Sequence, residues 1–142
     1  MKTKLIALAL GAFCCCVASA RSSMVMTSKD QSCDKWIERH FSKGTTPPFS
    51  FNYDGVSSDL LLKKWTFSKS APVALENGET QRSFFWTDKG TGLRVECRVK
   101  TFNDFNAMEW TLYFKNLSSG NSGQISEVKA ADIDLKSRRE GD

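Results

Sequence analysis

Between Leu93 and Phe114 the chain alternates with a period of two, and no other stretch restricts the fold as much. Leu93, Val95, Cys97 and Val99 are separated by Arg94, Glu96 and Arg98, with Lys100 following. Beyond Asn103–Ala107, Met108, Trp110, Leu112 and Phe114 are separated by Glu109, Thr111 and Tyr113. Successive side chains of a strand point to opposite faces, so each run predicts a strand with one dry and one wet face. The Asn/Asp-bearing break between them predicts a hairpin loop.

Flanking segments extend the pattern. Phe49–Tyr53 alternates and is followed by the turn dipeptide Asp54-Gly55. Strands are expected over 62–69 and 81–87, with Leu60–Lys64 open to a helical turn or a strand start. In the second of these Ser83, Phe85 and Thr87 lie on one side and Phe84 and Trp86 on the other. Asp88–Gly92 reads as a glycine-bearing hairpin loop, and 124–135 as a last strand. Upstream, Cys33, Trp36, Ile37, His40 and Phe41 fall on one face of a helix spanning about 30–42. Ser28 and Gln31 have capping-box spacing, and Gly44 with Pro47-Pro48 stops the helix. The fold class is therefore mainly β: an antiparallel β-sandwich, complete or partial, with one short N-terminal amphipathic helix.

The first twenty residues carry Lys2 and Lys4, an apolar run from Leu5 to Val17, and Ala18-Ser19-Ala20. This is the pattern of a cleaved signal peptide. The expected division is 1–20 signal, 21–29 flexible leader, 30–135 sandwich domain and 136–142 charged tail. The location is then secreted or periplasmic. Cys14-Cys15-Cys16 raises a lipoprotein alternative, which Phe13 disfavours because a small residue is wanted there. The apolar run is shorter than the roughly 20 residues needed to span a bilayer, so no membrane span is expected.

The full chain has 20 basic and 16 acidic residues. Without Lys2 and Lys4 the balance is 18 − 16 = +2. That balance, with no basic patch interleaved with aromatics, argues against a nucleic-acid partner. Cys33 and Cys97 remain after cleavage, and an exported location permits a disulfide between them. A buried free thiol on an apolar face is the competing state.

Few residues carry candidate chemistry. His40 is the single histidine, and on a helix face beside Trp36 and Phe41 it reads as a boundary residue. One histidine and two scattered cysteines do not make a zinc site. Asp132 and Asp134 straddle Ile133 and are expected on the solvated side of the last strand, able to meet a cation or a sugar hydroxyl. No two carboxylates pair as acid and base. The aromatics stand out: Trp36, Trp65, Trp86 and Trp110 accompany the phenylalanines and tyrosines. Aromatic rings on an outer sheet face can stack on the C–H face of a sugar, and Phe85, Trp86 and Tyr113 are the expected carbohydrate or partner contacts. Core packing is the competing role for such rings.

Pro47–Trp65, Thr87–Val95 and Phe102–Asn116 together resemble the N-terminal β-sandwich region of exported bacterial α-galactosidase-like (melibiase-type) glycoside hydrolases. The resemblance covers roughly 30–135. It implies a sandwich that precedes a (β/α)₈ barrel, packs on it and helps shape the rim of its sugar pocket. In that family the catalytic aspartates lie on the barrel, which this sequence does not reach, so no catalytic residue is carried over. The charged ending after Leu135 interrupts the family pattern and implies a fragment. The expectation is a non-catalytic module with no cofactor and no metal, whose partner is a catalytic barrel domain or carbohydrate. The alternative is an independent exported carbohydrate-binding or surface interaction protein.

Overall fold

A computed structural model describes residues 18–25 and 32–134. In chain order the elements are β1 (Ala18–Val25), α1 (Cys33–His40), β2 (Ser50–Tyr53), β3 (Val56–Ser57), α2 (Ser58–Leu61), β4 (Thr66–Lys69), β5 (Val73–Ala74), β6 (Glu79–Thr87), β7 (Leu93–Phe102), β8 (Ala107–Asn116) and β9 (Ile125–Lys129). The long hairpin is β7 and β8, paired from Leu93↔Asn116 to Phe102↔Ala107. It is the centre of an antiparallel six-stranded sheet ordered β1-β8-β7-β6-β4, with β5 also on β6. A three-stranded sheet ordered β3-β2-β9 forms the second layer. The mainly β, sandwich-like fold agrees with the sequence pattern.

Both the small sheet and α1 lie on one face of the large sheet, and aromatic contacts join the layers. Trp36 of α1 stacks on Trp110 of β8 with ring centroids 5.8 Å apart. Phe51 of β2 meets Phe114 edge-on at 5.1 Å. Phe41 stacks on Phe84 at 4.8 Å, and Phe49 meets Trp86 edge-on at 5.5 Å. Such pairs add about 0.5–1.5 kcal/mol each to the burial of the rings. The Trp110 indole N–H is satisfied by the Ala130 carbonyl at 2.6 Å, so this buried ring leaves no polar atom unpaired.

Several boundaries differ from the sequence reading. Residues 21–25, expected in an irregular leader, lie in β1, where Arg21 pairs with Thr111 and Val25 with Ala107. Backbone pairing along the β8 edge is indifferent to the polar side chains that hid this strand. The helix is shorter than 30–42 and is capped by Ser32, whose hydroxyl accepts the Lys35 N–H at 3.4 Å; Ser28 and Gln31 lie outside the described residues. The strand expected over 62–69 starts at Thr66. Ahead of it Ser57 caps the single turn α2, and the Trp65 N–H returns to the Leu61 carbonyl at 3.2 Å. The last strand stops at Lys129, after which the Asp132 N–H turns to the Pro48 carbonyl at 2.9 Å.

Cys33 and Cys97 are both free and buried, so the disulfide does not form. The Cys33 N–H donates to the side-chain oxygen of Asn106 in the β7–β8 loop at 3.3 Å, which places Cys33 at the loop end of the sheet. Cys97 stands five residues up β7 from Phe102, a distance of roughly 16 Å at the rise of an extended strand. Cα atoms more than about 7 Å apart cannot be bridged without moving the backbone. Burial pushes the Cys97 thiol well above its usual range, with the neighbouring Glu96 carboxylate adding to it.

Candidate functional site: the open face of the large sheet

One face of the large sheet carries the core. The opposite face is built from the residues that alternate with it, and strand register sorts them into rows. At one end, Thr66, Thr87, Arg94 and Lys115 lie side by side across β4, β6, β7 and β8. The next row is Ser68, Phe85, Glu96 and Tyr113, followed by Ser83, Arg98, Thr111 and Arg21. Beyond these come Gln81, Lys100 and Glu109, and then Glu79 with Phe102.

Charged groups on this face are largely paired within it. Glu96 accepts from the Ser83 hydroxyl at 2.8 Å and from Arg98 Nη2 at 3.1 Å. Lys100 bridges Glu79 at 3.3 Å and Glu109 at 3.5 Å. The hydrogen bond to Glu79 is the main reason the Lys100 ammonium holds its proton above the usual range. Cations also lie over the rings. The Arg98 guanidinium is 4.6 Å from the Tyr113 centroid, and that of Arg94 is 5.7 Å from Phe85. A ligand meeting Tyr113 therefore meets a flat ring and a guanidinium together, one apolar and one rich in donors.

The expected contact residues separate on this geometry. Phe85 and Tyr113 share one row of the open face, both half-buried, with Glu96 between them. They are two strand spacings apart, about 10 Å. Trp86 is not part of this face. It is 1% exposed, packed against Phe49 and Phe67 in the core, and cannot touch a sugar or a partner. Its place follows from strand parity, which sets it opposite Phe85.

His40 and the two aspartates, far apart in sequence, come together. A cleft of about 260 Å³ is lined by Trp36, His40, Thr46 and Pro48 on one side and by Asp132 and Asp134 on the other. Two of its polar groups, His40 and Asp132, already serve the fold. The His40 ring stacks on Trp36 at 4.0 Å, and its Nδ1–H donates to the Trp36 carbonyl at 2.8 Å. Asp132 accepts from the Ser50 hydroxyl at 2.5 Å and has Lys129 at 3.8 Å. Asp132 and Asp134 are exposed, as expected, but they lie past the end of β9 and not on the strand. Among the described residues no group of three or more His, Cys, Asp or Glu side chains is placed to hold a metal ion. No described helix is long and apolar enough to cross a membrane.

Compared with protein-family models, with curated proteins and with solved structures, the chain matches none of them.

Proposed function

We propose that the chain is a non-catalytic, exported β-sandwich module that works through the open face of its large sheet. Its counterpart is the accessory region of an α-galactosidase-like hydrolase, which packs on a catalytic barrel and touches carbohydrate. One observation carries the reading: Phe85 and Tyr113 stand in a single row on a face that no other described element covers. Each ring has an arginine beside it, and Glu96 lies between them. Rings supply apolar stacking area, and the arginines and Glu96 supply donors and acceptors for hydroxyl groups. Tyr and Arg are also the side chains that dominate protein interfaces, which suits packing against a second domain.

The test is calorimetric binding of galacto-oligosaccharides to the purified protein. Tyr113→Ala and Phe85→Ala are each expected to weaken binding about tenfold, or about 1.4 kcal/mol, with the melting temperature nearly unchanged. Trp86→Ala is expected to lower stability instead, by about 3–5 kcal/mol, because it empties a core site. Full affinity in both face variants would remove this reading. The alternative, an independent binding protein, is favoured by the way charges pair within the face without a partner, Glu96 with Arg98 and Lys100 with Glu79 and Glu109. Tight binding of sugar by the chain alone, unaltered by adding a catalytic barrel, would select it.

A further inference from the structure

Two rows of the open face carry two cations and no acid. In the Ser83–Arg21 row, Arg98 is taken by Glu96 and stands apart from Arg21 across Thr111. In the end row the two cations are neighbours and free of ion pairs among the described residues. Arg94 and Lys115 are direct partners across β7 and β8. Like charges placed opposite one another in a sheet are destabilising. Among the described residues neither has a carboxylate within ion-pair distance. Nearby carboxylates are engaged elsewhere. Glu96 takes Arg98 and Ser83. Asp88 accepts from the Gly90 N–H at 3.0 Å and from the Thr91 hydroxyl at 2.8 Å, closing its own loop. The row continues through Thr87, whose hydroxyl oxygen accepts Arg94 Nε–H at 3.2 Å, to Thr66 on β4. Two cations and two hydroxyls stand in line with no acid among them.

We propose that this row is an anion subsite, and that the ligand of the open face is an acidic glycan. Its ring lies on the Phe85–Tyr113 row while its carboxylate or sulfate sits between Arg94 and Lys115. The inference rests on the reading of the open face as a carbohydrate surface and adds the class of sugar. Adjacent rows are two residues apart along a strand, about 6.6 Å. That spacing lets one sugar residue stack on the aromatic row and reach the cationic row with an acidic substituent. A guanidinium offers paired donors to a carboxylate or sulfate, and an ammonium adds a point charge beside it. An acidic peptide would satisfy the cations but presents its carboxylates on flexible stems, with no flat face for the rings.

The experiment is titration calorimetry on the full chain with three probes of equal length: oligogalacturonate, a neutral galacto-oligosaccharide and oligoglutamate. Oligogalacturonate is expected to bind at least about tenfold more tightly than the neutral sugar, an advantage that shrinks as salt rises. Arg94→Gln combined with Lys115→Gln should abolish that advantage, read as the ratio of the acidic-sugar to the neutral-sugar affinity of the same variant, and should not lower the melting temperature because it relieves a like-charge pair. Lys115→Gln alone, at an exposed site, should remove part of it. Lys100→Gln is the control, since that ammonium already bridges two glutamates, and the advantage should survive it. Equal affinity for the two sugars overturns the anion subsite and leaves the carbohydrate reading standing. Failure of both sugars to bind overturns the two together. Oligoglutamate binding as tightly as oligogalacturonate, or loss of the advantage in Lys100→Gln, also overturns the proposal.

Discussion

Gly92 shows how much one position can decide. Its φ is +79°, a region that L side chains avoid. A Cβ there would lie 2.9 Å from both the backbone nitrogen and the Cβ of Ser118. Ser118 cannot give way easily, because Asn116 Oδ1 accepts its N–H at 2.9 Å and its hydroxyl at 2.7 Å. Gly92→Ala is therefore expected to cost about 1–3 kcal/mol, read from the urea midpoint. Gly44, at φ +84° with nothing within 4 Å, serves as the comparison. Gly44→Ala carries the backbone term alone and should cost less; equal losses would show that the Ser118 contact contributes nothing. The same scale explains the candidate site. Phe85 and Trp86 differ by one residue, and alternation alone sends them to opposite faces. The parity that keeps Phe85 on the open face excludes Trp86, which the sequence reading counts among the contacts.

At the scale of the element, the hairpins were legible because each strand is half dry. Burial alternates without a break from Leu93 to Val99 and from Met108 to Phe114. The loop joining β6 to β7 is held by Asp88, whose carboxyl lies below the usual range chiefly through the Thr91 hydroxyl, with the Gly90 and Thr91 N–H groups also contributing. A carboxyl lowered on folding contributes stability that is complete above its unfolded pKa of about 3.9 and is lost as pH falls through the folded value. The urea midpoint is thus expected to decline below about pH 4, and Asp88→Asn should flatten that part of the curve. An unchanged slope in Asp88→Asn would show that the loop carboxyl plays no part. Helix α1 was legible from its apolar face, but its ends were not. Capping belongs to whichever hydroxyl the local backbone brings to the first turn, and Ser32 holds that place.

For the whole molecule, the consequence is one sheet face covered and one left uncovered by the described residues. The small sheet and α1 occupy the first, and the second holds the rows from Thr66 to Phe102. β1 closes the β8 edge, and the cleavage point expected after Ala20 falls inside it. Loss of residues 1–20 would remove the partners of Phe114, Tyr113 and Leu112 and retain the pairing from Arg21 to Val25. On the proposed export, N-terminal sequencing of the mature protein is expected to begin at Arg21, and its thermal unfolding to remain a single transition. Retention of residues 1–20 in the exported protein would refute cleavage there.

Strand alternation is a property of the chain itself, because consecutive Cβ atoms must point in opposite directions. It set Phe85 opposite Trp86 and Tyr113 opposite Trp110 with no tertiary information; the packing of α1 and the small sheet decided that the Trp86 and Trp110 side is the dry one. What lies beside what is another matter. Arg94 stands opposite Lys115, and His40 shares a cleft with Asp132, only because the chain folds back on itself in one register. Register depends on the sum of many weak cross-strand and interlayer contacts, and no short stretch of sequence contains that sum. β1 makes the same point, since a polar edge strand is defined by the backbone of its neighbour and not by a pattern of its own.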